Sequence, residues 1–127
     1  MEPKFILAVA IGGACGSVAR YLVAIGSSRL FGPAFPWGTL IINVAGSALI
    51  GIFAGLFAAK WDIPQAARIF LIVGICGGFT TFSTFSLDAW YLIERGQVAE
   101  SVAYMLASVV LSFAALVGAL HAVRALV

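Results

Sequence analysis

The segment Gly77-Gly78-Phe79-Thr80-Thr81-Phe82-Ser83-Thr84-Phe85-Ser86 lies inside a longer stretch, residues 66–93, that is hydrophobic enough to cross a membrane. A glycine pair followed by β-branched threonines is poor helix, and lipid tolerates a broken helix only where protein or a water-filled cavity satisfies the freed backbone groups. The segment therefore predicts a third membrane helix with a break in it. Its glycines, hydroxyls and aromatic rings point to a pathway for a polar solute.

The remainder of the chain fits a membrane setting. Of its 127 residues, 63% are hydrophobic and 9% charged, with a mean hydropathy of +1.13, whereas globular domains run at about 45–50% apolar and about 25% charged. The length suits one membrane domain, residues 1–127. Four spans are predicted, at about 5–28, 37–59, 66–93 and 98–125. At about 1.5 Å per residue the first extends roughly 36 Å, enough to cross a hydrocarbon core of about 30 Å with room to tilt. It is too long and too interrupted for a signal peptide, and Met1-Glu2-Pro3-Lys4 is not a strongly basic leader, so the N-terminus is expected to stay. Cys15 and Cys76 sit in apolar runs without partner spacing and read as packing residues, not as a disulfide or metal site. The net charge of +2 is scattered, so no nucleic-acid partner is expected.

Breakers mark three short connections: Phe31-Gly32-Pro33-Ala34-Phe35-Pro36, Trp61-Asp62-Ile63-Pro64 and Glu94-Arg95-Gly96-Gln97. Four spans put both termini on one side, with Lys4, Lys60, Arg68 and Arg124. The other side carries Arg29 and Arg95, with Arg20 deeper in the first span. That basic bias is too weak to fix an orientation. Two readings of that ambiguity are open: an accident of a small number of charges, or insertion in both orientations with pairing of inverted copies. Four helices leave little room for an aqueous path among themselves, which favours a dimer.

Asn43 sits about 9 Å down the second span from Trp37, in the apolar run Leu40-Ile41-Ile42-Asn43-Val44-Ala45. It starts a four-residue spacing of small residues, Asn43, Ser47, Gly51, Gly55 and Ala59, that lets helices approach closely. Two readings are open for its amide: glue between helices, or a donor facing a conduit. Phe79, Phe82 and Phe85 are spaced by three, a pattern that alone means packing. Here Thr80, Thr81, Ser83, Thr84 and Ser86 fill the gaps, setting hydroxyl donors beside positive ring edges, which suits an anion. A cation would prefer ring faces, carbonyls and carboxylates. In the fourth span Tyr104, Ser108 and Ser112 recur every four residues, preceded by Ser101, as one polar line through an apolar helix. Arg20 must snorkel or pair, and Asp88 is a candidate partner. No nucleophile with its base, phosphate loop or metal cluster is present, so no enzyme is expected.

These blocks closely resemble the small bacterial fluoride channels known as the Fluc or CrcB family. The likeness covers nearly the whole chain: Gly12-Gly13-Ala14-Cys15-Gly16-Ser17-Val18-Ala19-Arg20-Tyr21, then Trp37-Gly38-Thr39-Leu40 with Asn43 and Gly46, then residues 74–86, then Glu94-Arg95-Gly96. The resemblance implies a passive fluoride-selective channel in the bacterial plasma membrane, an all-α antiparallel, dual-topology homodimer with two pores. It implies a break in the third helix and a structural Na+ at the dimer centre, held by backbone carbonyls of Gly77 and Thr80 from both subunits. It maps the fluoride pathway to Phe82, Phe85, Asn43, Tyr104, Ser108 and Ser112, with Thr81, Ser83 and Thr84 nearby. Arg20 matches a characteristic basic residue whose role is left open.

Fluoride holds its water tightly, so it crosses only where donors replace that water without trapping the ion, and weak amide, hydroxyl and ring-edge contacts in series meet both conditions. The main rival is a small proton-coupled multidrug transporter, also four spans in about this length. It calls for an acid within the membrane, typically in the first span, where this chain carries Arg20 and no acid. A non-transporting assembly subunit leaves the Thr/Ser/Phe segment without a task.

Overall fold

The structure is a computed structural model that describes residues 2–59 and 62–127. Lys60, one of the basic residues weighed for orientation, and Trp61, in the second connection, lie outside the described residues. Helix α1 covers Pro3–Phe31 and α2 covers Trp37–Ala58. The third span, Gln65–Glu94, comprises α3 (Gln65–Ile69), a π-wound segment (Phe70–Cys76), α4 (Gly77–Phe79) and α5 (Phe82–Glu94). Helix α6 covers Val98–Leu126. The four spans are all long and apolar enough to cross a membrane, and their ends fall within three residues of those predicted. Pro3 opens α1, where its missing N–H costs nothing. Gly32, at φ 77°, closes it, its backbone N–H donating a hydrogen bond to the Ser28 carbonyl at 2.9 Å.

The third span changes neighbours along its length. Its first half lies on α1, its second half on α6, and α2 packs along α6. Glycines bring the backbones together: a Cβ on Gly78 would stand 2.7 Å from the Gly13 carbonyl oxygen, and one on Gly12 would stand 2.9 Å from the Gly74 Cα. On α2, Gly51 faces the Leu116 carbonyl, and a Cβ on Gly55 would lie 2.9 Å from the Val123 Cβ. The small-residue face read from the sequence is thus, over these two turns, the α2–α6 contact.

The glycine pair is helical, with Gly77 at φ −64°, ψ −37°. The extended residues are Thr80, at φ −81°, ψ 156°, and Thr81, at φ −152°, ψ 121°. Gly78 is needed for its lack of a Cβ against α1, whereas β-branched threonines take extended backbone readily. Phe79 precedes the two threonines and Phe82 follows them, so the three phenylalanines do not share one helical face. A small core of Leu40, Phe85, Ala89, Leu92 and Tyr104 sits where α2, α5 and α6 meet. Many large apolar side chains elsewhere are exposed, as lipid-facing surfaces require.

Candidate functional site

Two extended residues inside a span leave backbone groups that a continuous helix would have paired. Asn43 of α2 answers for Thr81: its Nδ2 donates to the Thr81 carbonyl at 3.0 Å, and its Oδ1 accepts from the Thr81 amide at 2.9 Å. The Thr81 hydroxyl then caps α5, accepting from the Thr84 amide at 3.2 Å. Arg20 of α1 donates through Nε to the Gly78 carbonyl at 3.1 Å. This is a favourable use of a cation at the carbonyl end of a helix. Of the two readings for Arg20, pairing with Asp88 is not seen: Asp88 is engaged by Thr39 and Tyr104 instead. A continuous helix would send the Thr81 amide to the Gly77 carbonyl and the Thr84 amide to the Thr80 carbonyl. Both amides are diverted to side chains, so Gly77 and Thr80 lose those partners.

Beside this segment runs a groove of about 300 Å³, lined by Asn43, Ser47, Ile50, Thr80, Thr81, Phe82, Phe85, Ser108, Val109 and Ser112. None of these residues is ionisable. The Ser108 and Ser112 hydroxyls are buried without a hydrogen-bond partner among the described residues. Such orphans are uncommon, and both serines belong to the lining of the groove. Phe85 is buried while Phe82, 5.4 Å away between ring centroids, is 77% exposed.

The remaining predicted residues lie around the groove. Tyr104 is fully buried behind Phe85, at 5.3 Å between ring centroids, and its hydroxyl donates to Asp88 Oδ2 at 3.3 Å. Asp88 also accepts from the Thr39 hydroxyl at 2.7 Å. Ser101, one turn before Tyr104, donates to the Ala89 carbonyl at 2.8 Å and ties α6 to α5. Thr84 shares a separate hollow with Arg20, Ser17 and Tyr21. Ser83 is exposed, its hydroxyl 3.4 Å from that of Thr81. Sequence reasoning missed Thr39 as a partner of Asp88. The signal was available, because Thr39, Asn43 and Ser47 repeat every four residues.

The groove therefore offers amide and hydroxyl donors and an aromatic wall, without formal charge. Residues 7–120 match the family described as CrcB-like protein, Camphor Resistance (CrcB). The chain is similar to the fluoride-specific ion channel FluC 1 of Nitrobacter hamburgensis, at 70% identity over 126 residues, covering 99% of this chain and 100% of that one. It is 69% identical to a fluoride-specific ion channel FluC of Nitrobacter winogradskyi, over 98% of both chains. Against that of Agrobacterium fabrum it is 56% identical, over 87% of this chain and 88% of the relative. With the match spanning four helices and relatives of this identity along their full length, the chain belongs to the CrcB family.

Proposed function

We propose that the chain is a passive, fluoride-selective channel of the bacterial plasma membrane, working as an antiparallel homodimer with two pores. The observation that carries this reading is the uncharged groove in which the Ser108 and Ser112 hydroxyls have no partner among the described residues. A small, strongly hydrated anion needs donors that replace its water, and each must hold it weakly enough to let it go. Asn43, Thr81 and the two serines supply polar contacts, and Phe82 and Phe85 supply positive ring edges. Tyr104 stands behind the Phe85 ring, Ser83 is exposed beside Thr81, and Thr84 lines the neighbouring hollow. Family membership and the names of the relatives support the choice of ion.

The dimer reading is supported by what one subunit leaves open. Gly77, Phe82 and Ser83 are exposed on the third span, around the two threonines. A second, inverted copy seated there would cover Phe82 and complete the wall of the groove. The Gly77 and Thr80 carbonyls, deprived of their helical amides, are hard oxygen donors that fit an alkali cation such as Na+. Bound there by both subunits, Na+ would supply positive charge that ties the copies together.

Fluoride that enters the cell as neutral hydrogen fluoride dissociates in a more alkaline cytoplasm, and the membrane potential then drives the anion out through such a pore. The multidrug-transporter reading is disfavoured. Helix α1 carries no acidic residue, and Asp88 is engaged with Thr39 and Tyr104. The test is ion efflux from liposomes holding the purified protein. Fluoride is expected to leave without a proton gradient and chloride to stay. Equal passage of chloride, or no fluoride flux from inserted protein, overturns the assignment.

A further inference from the structure

Phe35 belongs to a connection, yet it packs as a core residue. It lies between α1 and α2, is half-buried, and rests against the cluster that contains Leu40, Phe85 and Tyr104. Its ring meets that of Tyr104 edge-on, at 5.6 Å and 88°. Tyr104 is 5.3 Å from Phe85, and Phe85 is 5.4 Å from Phe82, so ring contacts run unbroken from the connection to the groove. The backbone around Phe35 is also held. Arg95, from the connection between α5 and α6, donates to the Ala34 carbonyl at 3.1 Å. The Trp37 amide donates to the Phe35 carbonyl at 2.9 Å. Phe35 lines a hollow of about 570 Å³ at this end of the bundle, and Phe85 lines the groove.

We propose that Phe35 is a positioning residue: it fixes the Tyr104 ring and, through it, the orientation of Phe85 toward the groove. The hydroxyl tether of Tyr104 to Asp88, at 3.3 Å, is long for an O–H···O bond. It fixes the tip of the ring weakly, and the edge-on contact with Phe35 fixes its flank. Two connections outside the spans thus set a ring within one of them.

The functional half of this inference rests on the channel reading, and the packing half does not. The test uses full-length protein with 4-fluorophenylalanine at position 85, read by fluorine NMR and by fluoride efflux from liposomes. Phe35→Leu retains apolar bulk but removes the ring edge. It is expected to shift the position-85 resonance and to slow efflux about two- to tenfold, the range an aromatic pair contact supports. Phe35→Tyr is expected to preserve both. Arg95→Gln, which leaves every ring in place, is expected to shift the same resonance in the same direction. In a Phe85→Leu background, Phe35→Leu is expected to slow efflux no further. An unmoved resonance in folded Phe35→Leu protein, or additive slowing in the double variant, overturns the proposal. Absence of fluoride flux from the unaltered protein would instead defeat the channel reading, and the NMR arm would still decide the packing.

Discussion

Asn43 commits both polar atoms of its amide to Thr81. Asn43→Asp removes the donor to the Thr81 carbonyl and sets an acceptor oxygen against it, leaving a carbonyl unsatisfied at a cost of about 1–3 kcal/mol. A lower thermal midpoint in detergent, together with reduced fluoride flux, is the expected result. Ser108 and Ser112 should behave oppositely, because their hydroxyls have no partner to lose among the described residues. Ser108→Ala and Ser112→Ala are expected to leave the thermal midpoint unchanged or raised while slowing fluoride. Unchanged flux in both would remove the serines from the pathway. The two open readings of Asn43 are therefore not exclusive. Its bonds glue α2 to the third span, and the same side chain lines the groove.

Among the elements, the contact between α1 and the third span depends on glycine. Gly78→Ala would place a Cβ 2.7 Å from the Gly13 carbonyl oxygen and must push the helices apart. A loss of about 1–3 kcal/mol is expected, as for other overpacked sites, measurable by thermal unfolding. At Gly118 an added Cβ would meet nothing within 4 Å, so Gly118→Ala is expected to be neutral or to stabilise by up to about 1 kcal/mol. The helical class and the four spans were legible because lipid demands long apolar runs, and those runs fill most of this chain. Where the third span departs from helix was less legible. Propensity marked residues 77–86 as a whole, and which of them are extended goes with the packing of Gly78 against Gly13 and the pairing of Asn43 with Thr81. Both are contacts between segments far apart in sequence. The line Tyr104, Ser108, Ser112 was legible from spacing alone. That Tyr104 would bond Asp88 while the serines found no partner among the described residues was not, since it depends on how α5 lies against α6.

For the whole molecule, the proposed antiparallel pair predicts that topology and activity are linked. Ala99→Lys with Arg124→Gln moves basic charge to the end bearing the α5–α6 connection, and Ala125→Lys with Arg29→Gln moves it to the end bearing the termini. Each variant alone is expected to insert in a single orientation and to lose fluoride efflux, and co-expression of the two is expected to restore it. Full efflux from either variant, once its orientation is shown to be uniform, would exclude the inverted pair.

The groove's lack of ionisable side chains has a consequence for a cell in acid. External acidity raises the share of fluoride that enters as the neutral acid, so the demand for export is greatest when the outside is most acidic. A conduit gated by a histidine or carboxylate would change state under those conditions. In the proposed pore no such residue lines the groove among the described residues, so fluoride efflux from liposomes is expected to hold as the outside is acidified.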